Sequence, residues 1–300
     1  MAPLKLLPAE VQAFQATIWQ FYREHKREFA WRGISDPYAI LVSEMMLQQT
    51  QTARVVPKYD DWMRTFPTAQ ALAAASQAEV LAHWSGLGYN RRAVFLQRAC
   101  KAVCDDYGGV FPQTQEALQA LPGIGPYTAG AVATFAYNQP NVFIETNIRS
   151  VYIHFFFAPA ASRSEDSGSS GENPARESLF VTGSKKIDDK ELSPLIAQTL
   201  DKTNPREWYY ALMDYGADLK KKVVNPSRAS RQYSKQSRFE GSLRQARGAI
   251  LRQLSKQQQA TLSQIASYES VDMERLARAA DKLVAEKLVT AHDGIYRIAD

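Results

Sequence analysis

The chain has 300 residues, 45% of them hydrophobic, and carries a formal net charge of +5. It is long enough to bury one or two cores. It has no apolar run that could span a membrane and no signal-peptide pattern, so we expect a cytoplasmic or otherwise intracellular protein. The basic balance suits a polyanionic partner without establishing one. The two cysteines, Cys100 and Cys104, are one helical turn apart and are interpreted as buried thiols.

Helical periodicity dominates residues 8–140. Apolar residues recur at spacings of three and four, as in Val11, Phe14 and Ile18, and Pro, Gly and Asn separate the periodic segments. The alternation typical of strands is confined to the C-terminal end of the chain. The sequence therefore predicts an all-α fold.

One acidic residue lies inside an apolar helix and is followed by a run of amides and hydroxyls. Glu44 is flanked by Met45 and Met46, and the run consists of Gln48, Gln49, Thr50, Gln51 and Thr52. Burial raises the pKa of a carboxyl group, which makes Glu44 a candidate general acid. A buried capping acid is the alternative. The uncharged side chains of the run can hydrogen-bond base edges or fill a gap in a base stack.

Two glycine-containing turns follow. Gly86 and Gly88 predict a turn that presents Tyr89, Arg91 and Arg92. The aromatic ring of such a turn can wedge between bases, and its two cations can hold phosphates.

The second turn, Leu121 to Gly130, joins two helical patterns. Gly123 and Gly125 allow positive φ angles and the close approach of another molecule, and Pro126 suits the first turn of the next helix. Free amides at such a helix N-terminus form a seat for phosphate. An ordinary turn between two helices is the alternative interpretation.

Residues 143–240 contain a second carboxylate and two polar segments. Glu145 lies between apolar residues just before a predicted helix, and a surface acid is the alternative interpretation there. Residues 159–185 are rich in Ser and Gly and predict a flexible insertion. Residues 216–240 are basic and contain interspersed aromatic residues, a pattern that indicates either a nucleic-acid contact or a solvated linker.

Residues 241–300 predict a small separate domain. Three helical patterns are followed by a hairpin with Asp293 and Gly294 at its turn. This order is typical of a winged helix, which can bind DNA or protein. The first of these helices carries Arg244, Arg247 and Arg252, which predict phosphate contacts.

Together these motifs resemble the MutY-type, adenine-excising branch of the helix-hairpin-helix DNA glycosylases, relatives of endonuclease III. The resemblance covers residues 8–157 and resumes over 204–219, where the sequence is Trp-Tyr-Tyr-Ala-Leu-Met-Asp-Tyr-Gly-Ala from Trp208. It implies a two-lobed glycosylase domain over residues 1–235, followed by the winged-helix-like domain over 241–300. It also implies a monofunctional enzyme of base excision repair. Such an enzyme hydrolyses the N-glycosidic bond of a flipped-out adenine mispaired with guanine or 8-oxoguanine.

The resemblance also implies roles for four catalytic residues. Glu44 matches the acid that protonates the departing adenine. Glu145 matches the aspartate that stabilises the cationic sugar, and Asn147 matches the residue that organises that site. Tyr127 occupies the position where bifunctional lyases carry lysine, so Schiff-base chemistry is not expected. Packing of Tyr127 against the hairpin is the alternative.

The implied partner is double-stranded DNA with a mismatch or lesion, bound by a monomer, in the nucleoid if the source is bacterial. Gln48, Gln49 and Thr50 match the segment that fills the duplex after base extrusion, and Tyr89 matches the wedge beside the opposite base. The further expected DNA contacts are Arg91, Gly123, Gly125 and Thr128. Trp31 and Arg32 are expected to line the base pocket.

Three departures from the family pattern matter. Glu145 stands where relatives carry aspartate, and a shift of about 1 Å in an electrostatic stabiliser can cost about a hundredfold in rate. Residues 216–230 lack the cysteines that hold an iron–sulfur cluster in most relatives. The winged-helix pattern stands where relatives have a domain that recognises 8-oxoguanine.

We therefore expect no metal or cofactor in the chemistry, although the hairpin carbonyls could hold a monovalent cation. Two alternatives stay open. One is a glycosylase of the same fold that acts on a different damaged or mismatched base. The other is a catalytically inactive protein that binds damaged or mismatched DNA.

Overall fold

The computed structural model describes residues 4–157 and 186–299, so the predicted flexible insertion at 159–185 lies outside the described residues. The described chain is mostly helical, as predicted. Its helices are α1 (Pro8–His25), α2 (Pro37–Leu47), α3 (Thr52–Thr65), α4 (Ala69–Ala74), α5 (Gln77–Trp84), α6 (Arg91–Tyr107), α7 (Gln115–Gln119), α8 (Pro126–Tyr137), α9 (Thr146–Phe157), α10 (Asp189–Thr199), α11 (Pro205–Lys222), α12 (Leu243–Gln257), α13 (Leu262–Tyr268) and α14 (Met273–Ala285). Within the described ranges, none of these helices is both long and apolar enough to cross a membrane.

The described residues divide into two compact units. The first unit comprises the described parts of Met1–Glu28 and Ala133–Lys235, and the second comprises those of Phe29–Val132 and Gln236–Asp300. The C-terminal residues thus pack with residues 29–132 of the second unit. The domain division at 235/241 stays a prediction.

An aromatic cluster forms the core of the first unit. The ring of Phe14 on α1 lies 5.3 Å from that of Tyr152 on α9 and 5.9 Å from that of Trp208 on α11. Trp208 and Tyr152 are fully buried. Since aromatic side chains bury large apolar areas, this cluster holds α9 and α11 together and thereby positions Glu145 at the start of α9.

Helix α2 is the central helix of the second unit. Asp36 caps it by accepting a hydrogen bond from the Tyr38 amide at 3.0 Å, and Pro37 occupies its first turn. Residues 38–46 of this helix are all buried. Such a helix is apolar on every face because it is packed on every face, which explains how an acid at position 44 is removed from solvent.

The C-terminal part of the second unit has the element order of a winged helix, as predicted. After α12, the strand β1 (Gln259–Thr261) precedes α13 and α14, and β2 (Val289–His292) and β3 (Ile295–Ile298) follow. The sheet is antiparallel with order β1-β3-β2. The predicted hairpin turn is present, with positive φ at both Asp293 and Gly294, as a type I′ turn requires. Strand β1 was not predicted, because three residues carry too little pattern.

Candidate active site and nucleic-acid interface

The predicted hairpin joins α7 to α8. Gly123 has a φ of 75°, and a Cβ there would overlap the ring of Phe95 on α6, so this position requires glycine. Gly125 has no positive φ, which corrects the expectation for that glycine. The space beside it is open. No side chain therefore blocks an approach to the Gly125 Cα from that side, and the phosphate seat at the start of α8 stays a prediction.

The hairpin brings Tyr127 to the candidate acid. The Tyr127 hydroxyl donates a hydrogen bond of 2.7 Å to Oε2 of Glu44, from a position 83 residues away in the chain. Glu44 is 6% exposed. The hydroxyl fixes the orientation of a desolvated carboxyl group, which is the arrangement a positioned proton donor requires.

The amide segment after α2 forms a turn that is partly exposed. Nε2 of Gln48 donates to Oγ1 of Thr128 at 3.2 Å, and Thr128 is only 3% exposed. The hydroxyl of Thr128 therefore positions the Gln48 side chain. The DNA contacts expected of both residues stay predictions. Gln49 is exposed and has a φ of 54°. A side chain other than glycine in the left-handed region is uncommon and marks this turn as a candidate functional element.

Tyr89 lies in the second predicted turn. Gly86, Gly88 and Tyr89 have φ angles of 96°, 69° and 48°, and Nε1 of Trp84 donates to the Gly88 carbonyl at 3.0 Å. The buried Trp84 side chain thus fixes the turn that presents Tyr89. The Arg91 side chain is 57% exposed, and its Nε lies 4.0 Å from Oε2 of Glu286, so its predicted phosphate contact stays a prediction.

Arg92 departs from the prediction for this turn. It is 8% exposed, and its Nη1 donates to the carbonyl oxygens of Met45 at 2.5 Å and Gln48 at 2.7 Å. Its Nη2 donates to the Gly88 carbonyl at 3.0 Å. Burial lowers the pKa of Arg92 to about 10. The side chain connects the end of α2, the amide turn and the Tyr89 turn, and it is not presented to phosphates.

Glu145 caps a helix in the first unit. Its Oε1 accepts from the amides of Asn147 and Ile148 at 2.7 and 2.9 Å, and its Oε2 accepts from Nδ2 of Asn147 at 3.2 Å. Asn147 therefore orients the carboxylate, and the catalytic roles that the resemblance implies for both residues stay predictions. A Cβ at Gly216 on α11 would overlap the Asn147 backbone. Lys220, one turn further along α11, is half-buried, and burial lowers its pKa whereas the charge of Glu145 raises it.

The two residues expected in the base pocket lie at the start of the second unit. Trp31 is 5% exposed and stacks on Phe29 with ring centroids 4.9 Å apart, and the centroid of the Tyr59 ring lies 5.2 Å from its own. The Arg32 guanidinium lies 5.1 Å from the centroid of the Phe29 ring. Trp31 contributes to the core, and the pocket assignment of both residues stays a prediction.

The arginines of α12 are not uniformly available for phosphate contacts. Arg247 forms a bidentate pair with Glu286 at 2.6 and 2.8 Å, and Nη2 of Arg252 lies 2.7 Å from Glu269. Internal carboxylates therefore occupy two of the three cations that the sequence suggested as phosphate contacts. The sequence separation between these arginines and their carboxylate partners did not indicate that the ion pairs would form.

The residues present do not fit an iron–sulfur cluster. The chain has two cysteines, both on α6, and burial raises the pKa of Cys100. Among the described residues, no group of three or more His, Cys, Asp or Glu could hold a metal ion. The expected absence of a cofactor and the hairpin cation stay predictions.

The chain is similar to known proteins of base excision DNA repair. Residues 42–170 match the family model described as HhH-GPD superfamily base excision DNA repair protein. The chain is 35% identical over 220 residues to an adenine DNA glycosylase of Homo sapiens, a match that covers 70% of this chain and 36% of that protein. It is 47% identical over 133 residues to one of Mycobacterium tuberculosis, covering 44% and 43%.

A solved structure of a thermostable thymine-DNA glycosylase superposes with a TM-score of 0.55 and 25% identity, over 70% of this chain and 87% of that one. The chain spans less than half the length of the two curated relatives above. The hairpin, the Gln48–Thr50 turn and the buried acid all lie inside or beside the matched region. Residues 42–170 are therefore similar to HhH-GPD base excision DNA repair proteins, and the two curated relatives that match this region are adenine DNA glycosylases.

Proposed function

We propose that the protein is a monofunctional DNA glycosylase of base excision repair that releases adenine mispaired with guanine or 8-oxoguanine. The observation that carries this proposal is the buried carboxyl group of Glu44, which the Tyr127 hydroxyl holds at 2.7 Å. This pair offers a proton donor beside the hairpin and no amine nucleophile at position 127. Relatives named adenine DNA glycosylase support the choice of base.

The side chains suggest a hydrolytic sequence. Glu44 protonates a ring nitrogen of the extruded adenine, the bond between N9 and C1′ breaks, and its electron pair leaves with the base. The carboxylate of Glu145, oriented by Asn147, stabilises the positive charge that develops on the sugar. Water adds to C1′ and gives its proton to the Glu44 carboxylate. An abasic site results.

Binding of the duplex is assigned to exposed groups of the second unit. The hairpin amides near Gly125 receive a phosphate, Gln49 enters the gap left by the extruded base, and Tyr89 and Arg91 contact the opposite strand and its backbone. We propose a mismatched or damaged duplex as the partner and a monomer as the active form.

Single-turnover release of base from a duplex panel tests this function. The panel pairs adenine with guanine, 8-oxoguanine, cytosine and thymine, and includes thymine opposite guanine because of the thymine-DNA glycosylase likeness. We expect release of adenine opposite guanine or 8-oxoguanine. Glu44→Gln should bind the same duplexes but lose release by about a hundredfold or more, because the amide cannot supply the proton.

Glu274→Gln is the matched control, since the Glu274 side chain on α14 is 84% exposed. It should behave as wild type. Release by Glu44→Gln within about threefold of the wild-type rate would remove Glu44 as the acid. Faster release of thymine than of adenine would reassign the substrate. Binding without release of any base would favour a damage-sensing protein.

A further inference from the structure

The C-terminal residues of the second unit contact the side chain of Tyr89, which is proposed to meet DNA. Nε2 of Gln236 donates a hydrogen bond of 2.8 Å to the Tyr89 hydroxyl, and Nη1 of Arg244 lies 3.4 Å from the same oxygen. The Arg244 guanidinium also lies over the Tyr89 ring, 5.5 Å from its centroid. Residues 147 and 155 positions further along the chain therefore occupy both the polar tip and a face of this ring.

Two guanidinium groups lie over the Tyr89 ring, and they differ in how firmly they are held. Arg92 lies 5.6 Å from the ring centroid, but it is buried and bonded to several main-chain carbonyls. Arg244 is half-buried, and its Nη2 donates to the Ser237 carbonyl at 2.5 Å. A base stacks on the open face of an aromatic ring. The face beneath Arg244 can therefore receive a base only after Arg244 has moved.

The segment that supplies these contacts is exposed. Residues 236–241 lie outside the helices and strands, and each of them is exposed to solvent. Helix α12 begins just after this segment and is held by the bidentate pair of Arg247 with Glu286. Segments with few buried contacts open at a small cost in free energy. The contacts to Tyr89 can therefore break without movement of α12.

Arg91, the other residue of this turn that is proposed to meet DNA, faces an acid of the same C-terminal part. Its Nε lies 4.0 Å from Oε2 of Glu286, and the same oxygen lies 2.6 Å from Nη2 of Arg247. A carboxylate this close to a cation reduces the attraction of that cation for a phosphate. The C-terminal part therefore restrains Tyr89 and also screens the charge beside it.

We propose that Gln236 and Arg244 form an autoinhibitory latch, which closes over Tyr89 in the DNA-free protein and opens when a duplex binds. Only the open form offers the covered face of the ring to a base, so the apparent dissociation constant is the intrinsic constant divided by the open fraction. The latch therefore weakens binding to every duplex, including undamaged DNA. The inference rests on the proposed function for the contact of Tyr89 with DNA, and it does not depend on which base is released.

Gln236→Ala tests the latch because it removes a hydrogen bond to Tyr89 without changing the charge of the protein. We expect this variant to bind an undamaged duplex about threefold more tightly than wild type, since that hydrogen bond no longer has to break. The salt dependence of binding should stay at the wild-type slope. Gln257→Ala is the matched control and should bind as wild type, because that exposed amide donates within α12, to Gln253 at 3.3 Å. Fluorescence anisotropy measures each dissociation constant.

Fluorine NMR observes the latch directly. The proteins are labelled with 3-fluorotyrosine, and the Tyr89 resonance is assigned by its loss in Tyr89→Phe. In the free proteins, we expect this resonance to differ between wild type and Gln236→Ala, because the hydrogen bond to the ring hydroxyl is present only in wild type. When both proteins are saturated with duplex, the two resonances should coincide, because the latch is open in both complexes. Circular dichroism and thermal melting of each variant confirm folding.

Either of two results would overturn the latch. The first is an affinity of Gln236→Ala for undamaged duplex that equals or falls below that of wild type, and a lower affinity would identify Gln236 as a DNA contact. The second is a Tyr89 resonance that differs between the two saturated complexes as much as between the free proteins. Neither measurement involves base release. A protein that binds DNA through an opening latch but releases no base would refute the proposed function alone, and adenine release with unchanged binding by Gln236→Ala would refute the latch alone.

Discussion

At the residue scale, the burial of Arg92 affects several parts of the second unit at once. Its donors satisfy carbonyls at the end of α2 and in the Tyr89 turn, groups that would otherwise be buried without partners. The same guanidinium lies 5.2 Å from the centroid of the Trp84 ring. One side chain therefore maintains the relative positions of the helix that carries Glu44 and of the two turns that we propose contact DNA.

Substitution Arg92→Met should lower the free energy of unfolding by about 3 kcal/mol, because buried carbonyls lose their donors. Arg92→Lys should recover part of this loss, since an ammonium can reach fewer of the carbonyls. Urea denaturation measures both. Arg91→Met is the matched control and should change stability by less than about 0.5 kcal/mol, as most exposed positions do. Equal effects at 91 and 92 would contradict this role.

We expect the residue at position 127 to determine which chemistry the proposed active site supports. Wild-type protein and Tyr127→Phe should give no borohydride-trapped adduct with a substrate duplex, because neither has an amine at this position. Tyr127→Lys should give a trapped adduct, since an amine there can attack C1′. Denaturing gels of the trapped reactions measure this. An adduct formed efficiently by the wild-type protein would show that another amine acts.

At the element scale, the hairpin and the winged-helix part are held by different interactions. The hairpin depends on one glycine conformation and on close packing against Phe95. The winged-helix part depends on its sheet and on ion pairs between helices, among them Arg247–Glu286 and Arg252–Glu269. A methyl group added at Gly123 should therefore perturb the hairpin, whereas acid should perturb the ion pairs of the winged-helix part.

The two hairpin glycines should respond differently to alanine. Gly123→Ala should destabilise the protein by about 1–3 kcal/mol, because φ is positive and the methyl group meets the Phe95 ring. Gly125→Ala should leave stability almost unchanged but weaken binding of duplex DNA, because a methyl group would occupy the open space that we propose a phosphate approaches. Thermal melting and DNA titration separate these effects. Unchanged DNA affinity in Gly125→Ala would argue against the phosphate seat.

Acid should destabilise the C-terminal part through Glu269. Burial acts to raise the pKa of this carboxyl group, but hydrogen bonds from Arg252 and Gln253 outweigh it and leave the pKa below its ordinary value of 4.5. A depressed folded-state pKa contributes stability above the ordinary value, and that stability is lost as the pH falls through the folded-state pKa. Glu269→Gln should therefore show a smaller loss of melting temperature than wild type between neutral pH and about pH 3.

Glu274→Gln is again the control, because the exposed Glu274 side chain should leave the pH profile at its wild-type slope. A wild-type slope in Glu269→Gln would mean that other carboxylates govern the acid response.

At the scale of the whole molecule, hydrogen bonds hold the segment where the family resemblance leads one to expect cysteines and this chain has none. Oδ1 of Asn225 accepts from the Ser227 amide at 3.1 Å and from Oγ of Ser150 at 3.2 Å. The Ile187 amide donates to the Ala229 carbonyl, and the Arg231 amide donates to the Ile187 carbonyl, both at 2.9 Å. These contacts secure residues 225–231 against α9 and the start of α10.

Purified protein should therefore contain no stoichiometric iron, and its melting temperature should not change with chelator, because the segment needs no metal to hold it. Elemental analysis and melting with and without chelator measure this. Asn225→Ala should lower the melting temperature by a few degrees, since it removes several hydrogen bonds at once. About four iron atoms per chain, with cluster absorbance, would contradict the assignment.

The sequence alone determined the features that depend on neighbours along the chain. Helical periodicity, the glycine turns, the Asp293-Gly294 hairpin and the burial of Glu44 follow from residues within a few positions of one another, because helix and turn energetics are local. The resemblance to a glycosylase family rests on the same short motifs and their order.

Only the tertiary structure decided which distant groups meet. The bond from Tyr127 to Glu44 joins residues 83 positions apart, the approach of Arg244 to Tyr89 spans 155, and the pairing of Arg247 with Glu286 spans 39. Arg91 and Arg92 are identical in type and adjacent, yet one is exposed and the other is buried among carbonyls. Packing sets the partner and the burial of a charge, and these two properties determine whether it binds DNA or stabilises the fold.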